Sequence, residues 1–253
     1  MNVSRAVAIL VAAGQGERLA QATAGRPKQF SELAEIPIFI WSLTTIAIHG
    51  QIDQVIVTVP SGWQNEANEL IAKYIPQAKR KISIIAGGKT RQESVWLALE
   101  ELSMANIVPS HVLIHDAVRP FVTTDSIDLI LEKLEQCEAV TIGLPLSDSI
   151  KRIGKGQIIE DLDRNIFALV QTPQAAQFDT MLKAHRHARV QQHQCTDDAA
   201  IMKFFGKLVS IVPGSRLNLK ITEPEDLLIA QALVETNKWQ PGKIAMEKDL
   251  VSI

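Results

Sequence analysis

The sequence predicts an α/β fold with a mostly parallel, twisted sheet flanked by helices, and three observations carry that expectation. Short apolar runs alternate with longer amphipathic stretches along the 253 residues, the pattern of strand–helix–strand units. The apolar runs are near-continuous in Val, Ile and Leu, as strands covered on both faces require. One segment, 147–165 (SDSIKRIGKGQIIEDLDRN), departs from this: apolar and polar residues alternate around Gly154-Lys155-Gly156, a hairpin pattern too polar for a central sheet. The expected architecture is therefore Rossmann-like, with a protruding β-arm.

The first strand is expected at 6–11 (AVAILV), opening into Ala12-Ala13-Gly14-Gln15-Gly16-Glu17-Arg18, with a second cation, Lys28, after Pro27. Gly14 and Gly16 allow close backbone approach to an anion, and N–H groups at such a strand end bind phosphate. Arg18 and Lys28 would then neutralise a triphosphate. The loop is not a P-loop, which ends in Gly-Lys-Ser/Thr. Nor is it a dinucleotide fingerprint: Leu19 stands at the third glycine position, and no acid ends a second strand about 20 residues on.

A helix at 38–48, a strand at 54–59, a helix at 63–74 and a strand at 82–85 follow. Gly87-Gly88-Lys89-Thr90-Arg91-Gln92-Glu93-Ser94-Val95 then leads into a helix at 91–102. Two glycines before a helix N-terminus make an edge site for an anion or nucleobase. The same residues read equally as a Thr90 N-cap with Glu93 closing a capping box. A strand at 111–115 ends in His115-Asp116-Ala117-Val118-Arg119-Pro120. An Asp at the carboxyl end of a parallel strand is well placed to hold Mg²⁺, which takes one or two carboxylates plus phosphate oxygens. Arg119 is placed to hold a second phosphate; the plainer alternative is an Asp116–Arg119 ion pair capping a turn.

A helix at 125–135 and a strand at 139–144 precede the arm. An isolated hairpin needs a partner over its apolar face, which predicts a homodimer in preference to a solvent-facing hairpin on a monomer. In the helix expected at 178–188, His185 and His187 lie off a common face, which argues against a metal pair. A strand at 208–212 follows, and Lys220 reads as lying in an apolar strand, NLKIT, either at an edge or facing an anion. Thr222 is the expected N-cap of a helix running to Glu235, with first-turn acids. Residues after Lys238 have no clear period, so 1–238 reads as one domain and 239–253 as a C-terminal tail.

The net charge of −2 provides no basic field to recruit nucleic acid, so an anion would be held in a local site. Cys137 and Cys195 form no metal or disulfide framework and suit a reducing, cytoplasmic setting. The N-terminus does not read as a signal peptide, and no apolar run is long enough to span a bilayer. Neither a GxSxG elbow nor a Ser-His-Asp order appears.

Taken in order, VAAGQGERL, PKQF, GGKTRQESV, HDAVRPFV, DSIKR, DRN, TPQ, TDDAA and NLKITEPEDL resemble the 2-C-methyl-D-erythritol 4-phosphate cytidylyltransferase family over nearly the whole chain. The resemblance implies transfer of CMP from CTP to the sugar phosphate, release of pyrophosphate, and use of Mg²⁺. It implies that Ala12, Ala13, Gly14 and Gly16 wrap the nucleotide, and that Gly88, Arg91 and Ser94 hold cytosine and ribose. Arg18, Lys28, Arg164 and Lys220 would be the catalytic cations. Asp116 would contact metal and substrate, and Arg119, Ser149 and Thr196, with Arg164 and Lys220, would bind methylerythritol phosphate, some reaching across a dimer. The chain departs from the family pattern in three places: extra residues between Arg18 and Lys28, through Gln21 to Gly25; Lys89 where Asp is common; and Ser149 where Thr is common.

The nearest alternative is a ribitol-5-phosphate cytidylyltransferase, which shares the loop and the HDAVRP-type motif. A non-catalytic nucleotide-binding module predicts loss of a phosphate cation or of the strand-end Asp, and Arg18, Lys28 and Asp116 are all present. An NAD-dependent oxidoreductase predicts a third glycine and a ribose-binding acid, and neither is found. A stand-alone enzyme is expected in preference to a fusion with the cyclodiphosphate synthase of the same pathway.

Overall fold

The computed structural model describes residues 6–14, 26–104 and 109–236. Seven strands build the main sheet: β1 (Ala6–Val11), β4 (Ile52–Val59), β5 (Ile82–Ala86), β6 (His111–Asp116), β7 (Ala139–Pro145), β10 (Ala168–Gln177) and β11 (Ser210–Pro213). Their spatial order is β11-β7-β10-β6-β1-β4-β5. β2 (Glu32–Leu33) and β3 (Ile36–Pro37) form a small separate pair. β1 runs parallel to both β4 and β6, β4 to β5, and β7 to β11. β10 alone is antiparallel to its neighbours β6 and β7.

Alternation along β1 assigns its side chains to two layers. Ala6, Ala8 and Leu10 pack with α1 (Ile38–Ile48), α2 (Gln64–Tyr74) and α4 (Thr124–Leu134). Val7 and Ile9 pack with α3 (Arg91–Ser103), α5 (Phe178–Val190) and α6 (Asp198–Phe204). α1 is buried on every side, as a helix apolar all round must be. Beyond it, Ile38 and Trp41 join Phe121, Ile221 and Ala230 of α7 (Pro224–Glu235) in a third cluster.

The expected strands and helices are present with shifts of one or two residues at their ends. The β2–β3 pair is an addition to the expected elements, and several others differ. The apolar pattern does not announce β10, because Gln171, Thr172 and Gln174 are polar yet buried in it. Nor does it announce α6, which Asp197 caps by accepting from Ala200 N at 2.8 Å. Lys220 lies in no strand: the apolar run around it packs against the third cluster, with Ile221 N donating to Val118 O at 2.9 Å. The N-cap of α7 is Glu223 rather than Thr222, whose N and Oγ1 instead donate to Asp226 Oδ2 at 2.8 and 2.9 Å.

The arm forms as expected. β8 (Ile150–Gly154) and β9 (Gln157–Leu162) make a two-stranded antiparallel sheet apart from the central one. Lys155 and Gly156 join them with φ of 49° and 78°, the left-handed pair that a tight hairpin turn demands. The arm leaves Ile153, Ile158 and Ile159 exposed, and Ile166, Phe167 and Leu169 beside it are exposed as well.

Candidate active site

The chain leaves β1 toward β4 on one side and returns to β6 on the other. The carboxyl ends of β1 and β6 therefore border a crevice, where open α/β sheets bind ligands. A cleft of about 190 Å³ lies there. Val11 and the following Ala12, Ala13 and Gly14 line it from the end of β1, Gly88 to Arg91 and Ser94 from the start of α3, Asp116 from β6, Lys28 and Gln29 from a 3-10 turn (Lys28–Phe30), and Lys220 from a loop.

Gln29 is buried and its amide Nε2 donates to Ala12 O and, at 3.0 Å, to Gly14 O, so it clamps the start of the glycine loop. Lys28 Nζ donates to Ile221 O at 3.2 Å. At the α3 start, Thr90 Oγ1 accepts from Glu93 N at 3.1 Å, as expected of an N-cap. The box closes one residue earlier than expected: Glu93 Oε2 accepts from Lys89 N at 2.7 Å, not from Thr90 N. The Glu93 side chain folds back so closely that a Cβ on residue 88 would meet its Cγ at 2.2 Å, which explains Gly88. Ser94 Oγ donates to Thr90 O at 2.9 Å and accepts from Gly88 N at 3.0 Å, tying the glycine pair to the helix.

Asp116 is the centre of the charge arrangement. Arg91 Nε donates to its Oδ1 at 2.8 Å and Lys220 Nζ to its Oδ2 at 2.7 Å, while Arg119 Nε stands 3.9 Å from Oδ2. The turn expected between Asp116 and Arg119 is present, with Arg119 N donating to Asp116 O at 3.0 Å. The carboxylate nonetheless faces the cleft, and its closer partners are Arg91 and Lys220. Burial opposes its ionisation, but Arg91 and Lys220 outweigh burial and hold it well below the usual carboxylate range. Behind it, His115 is pushed down to about 4 by burial and is neutral. Thr172 Oγ1 accepts from Asp116 N and sits 3.1 Å from His115 Nδ1, while His115 Nε2 lies 3.1 Å from Arg119 O. A proton on Nε2 satisfies every member of that chain.

The expected residues divide into three groups. Ala12, Ala13, Gly14, Lys28, Gly88, Arg91, Ser94, Asp116 and Lys220 line one cleft, with Arg119 directly behind Asp116. Ser149, Arg164 and Thr196 are exposed and do not line it; Arg164 Nη1 donates to Ser147 O at the foot of the arm. Gly16 and Arg18, and the tail after Lys238, lie outside the described residues. Three residues that sequence reasoning does not select also shape the site. Gln29 stands in plain view in PKQF; Asp198 reads as an ordinary surface charge in TDDAA; His185 invites attention only as a metal ligand. Arg91 Nη1 makes a second ion pair, at 2.8 Å, with the fully buried Asp198.

Among the described residues no group of three or more His, Cys, Asp or Glu side chains gathers as a self-sufficient metal cage. The cleft does fit a hard divalent cation that takes most of its ligands from a substrate. Asp116 is ionised and is the one carboxylate among the described residues lining the cleft, and each of its oxygens keeps a lone pair beyond its cationic partner.

Comparison with known proteins places the chain in a family. A family model described as 2-C-methyl-D-erythritol 4-phosphate cytidylyltransferase (IspD) matches residues 6–236. A protein of that name from Halalkalibacterium halodurans is 38% identical over 227 residues, covering 89% of this chain and 95% of its own. The crystal structure of the protein of that name from Thermus thermophilus is 28% identical, with a TM-score of 0.72 over 90% of this chain and 98% of its own. The 4-diphosphocytidyl-2C-methyl-D-erythritol synthase structure from Anaerococcus prevotii shares the fold, with a TM-score of 0.79 at 23% identity over 92% of this chain and 97% of its own. On the family match and this identity, the chain belongs to the 2-C-methyl-D-erythritol 4-phosphate cytidylyltransferase family.

Proposed function

We propose that this protein transfers CMP from CTP to 2-C-methyl-D-erythritol 4-phosphate, releasing pyrophosphate, in non-mevalonate isoprenoid precursor synthesis. One observation supports this most directly. Among the described residues, Lys28, Lys89, Arg91 and Lys220 line the cleft against a single carboxylate, Asp116, a surplus of positive charge suited to a polyanionic ligand. Gly14 and Gly88 let the backbone approach the nucleotide closely, Ser94 fixes the Gly88 edge that meets cytosine and ribose, and Ala12 and Ala13 shape the loop around it, to which Gly16 also belongs.

The reaction joins a phosphate monoester oxygen to the α-phosphorus of CTP as the bond to the β-phosphate oxygen breaks. The attacking dianion is already nucleophilic, so no general base is required. What the protein must supply is alignment and neutralisation of two anions that repel each other. Lys28, with Arg18, stabilises the transition state and the departing pyrophosphate. Lys220 and Arg119 stand beside Asp116 to receive the sugar phosphate. Mg²⁺, when bound, would be held by Asp116 and would draw charge off the triphosphate.

Ser149, Arg164 and Thr196 complete the sugar-phosphate site in a homodimer, in which arms are exchanged. The supporting observation is the row of exposed Ile153, Ile158, Ile166, Phe167 and Leu169 on and beside the arm. Residues 1–238 act as one domain, with 239–253 as a tail. A cytoplasmic setting suits the two unpaired cysteines; no helix among the described residues is long and apolar enough to cross a membrane.

The test is pyrophosphate release with CTP and Mg²⁺, run in parallel on methylerythritol 4-phosphate and ribitol 5-phosphate. Turnover on the first alone is expected. Turnover on the second alone would overturn the substrate, and silence on both would leave a nucleotide-binding module.

A further inference from the structure

Behind the cleft lies a buried chain of polar groups that the proposed reaction does not use. Asp198 and His185 are both fully buried, on α6 and α5, and neither lines the nucleotide cleft. His185 Nε2 lies 3.1 Å from Asp198 Oδ1, and Asp198 Oδ2 pairs with Arg91 Nη1 at 2.8 Å. Arg91 in turn donates from Nε to Asp116 at 2.8 Å. Burial opposes ionisation of Asp198, but Arg91 and the hydrogen bond from His185 outweigh it and lower its pKa. An ionised carboxylate carries no proton, so the proton between the two belongs to His185 Nε2.

We infer that His185 is a positioning residue for nucleotide binding, holding the Asp198 carboxylate in the one orientation that fixes the Arg91 guanidinium in the cleft. A guanidinium gripped at Nε by one carboxylate and at Nη1 by another cannot rotate without losing a partner. Asp198 is the half of that grip without a phosphate-facing duty, and its own orientation rests on His185. The arrangement matches the outer partners that orient metal ligands, here applied to a cation. An apolar side chain at 185 would fill the space but leave Asp198 Oδ1 buried without its donor.

The inference rests on the cleft being the CTP site, and the experiment separates the two. CTP binding is measured by calorimetry, and kcat and KM for each substrate by pyrophosphate release, in the wild type, Arg91→Ala, His185→Met and His185→Gln. Thermal midpoints are recorded alongside. His185→Met is expected to weaken CTP binding about tenfold while KM for the sugar phosphate changes less than twofold. His185→Gln, which can keep a donor near Nε2, is expected to recover most of that loss. Should Arg91→Ala leave CTP binding intact, the reading of the cleft fails. Should Arg91→Ala weaken CTP while His185→Met does not, or should Gln and Met be equally impaired on both substrates, the positioning role fails. If His185→Met does not fold, Asp198→Asn must show the same CTP-selective loss, and an equal loss on both substrates overturns the inference.

Discussion

Asp116 and Lys220 meet at 2.7 Å across 104 residues of chain, and Arg91 grips the other oxygen of the same carboxylate. Asp116 thus holds the cations for which the oxygens of an anionic ligand would compete. Asp116→Asn removes that internal competitor. Metal-free inorganic pyrophosphate is expected to bind the variant several-fold more tightly than the wild type, while Mg²⁺-dependent turnover falls at least about a hundredfold. Calorimetry with pyrophosphate in chelator checks the first part; unchanged or weaker binding would mean that Asp116 does not restrain these cations.

Lys28 sits at the mouth of the glycine loop, its ammonium donating to Ile221 O at 3.2 Å. Lys28→Ala is expected to lower kcat by two or more orders of magnitude, since one lost transition-state donor costs about 3 kcal/mol. Its thermal midpoint should stay near that of the wild type, because the side chain borders the cleft and not the core. Near-normal kinetics would remove Lys28 from the reaction.

Gln29 holds two carbonyls of the loop with one amide nitrogen. Gln29→Leu leaves Ala12 O and Gly14 O without that donor and should cost about 1–3 kcal/mol of stability. Because the same bonds shape the nucleotide loop, KM for CTP should rise as well. A variant with lowered stability but wild-type KM would make Gln29 a core residue only.

Much of this is legible along the chain. Near-continuous apolar runs mark β1, β4, β6 and β7 because these strands are covered on both faces, the edge strand β5 is apolar though only half-buried, and Thr90 announces α3 by its cap. β10 is not legible. Gln171 Nε2 donates to Ser215 O at 2.9 Å and Gln174 Nε2 to Asp197 Oδ2 at 3.1 Å, so partners distant in sequence make a polar strand tolerable inside the sheet. Lys220 misleads for a related reason. Leu219 and Ile221 are apolar because they pack on the third cluster, and no strand ladder is involved. His185 looks like one more polar helix residue, since only the fold brings Asp198 to it.

Arg164 is exposed at the foot of the arm and does not line its own chain's cleft. If a second copy presents it to the sugar phosphate, Arg164→Ala should raise KM for methylerythritol phosphate tenfold or more, and that for CTP little. Mixing Arg164→Ala with Lys28→Ala then restores part of the activity, because each mixed dimer contains one intact composite site. Absence of complementation, or a rise confined to CTP, would sink the exchanged-arm arrangement.

His115 ties the stability of the site to pH. Burial holds it at about 4, against 6.5 for an ordinary histidine, so the folded protein keeps it neutral where the unfolded chain takes up a proton. Its contribution is therefore fully present above pH 6.5 and is lost as pH falls from there toward 4. The gap sets an upper bound of about 3 kcal/mol. Thermal midpoints measured between pH 7.5 and 4.5 should therefore fall more steeply for the wild type than for His115→Gln, which has no proton to gain. Equal slopes would show that His115 is not held neutral. Protonation would act at Thr172, whose hydroxyl donates to the bare Nδ1, whereas Arg119 O keeps its Nε2–H donor in either state.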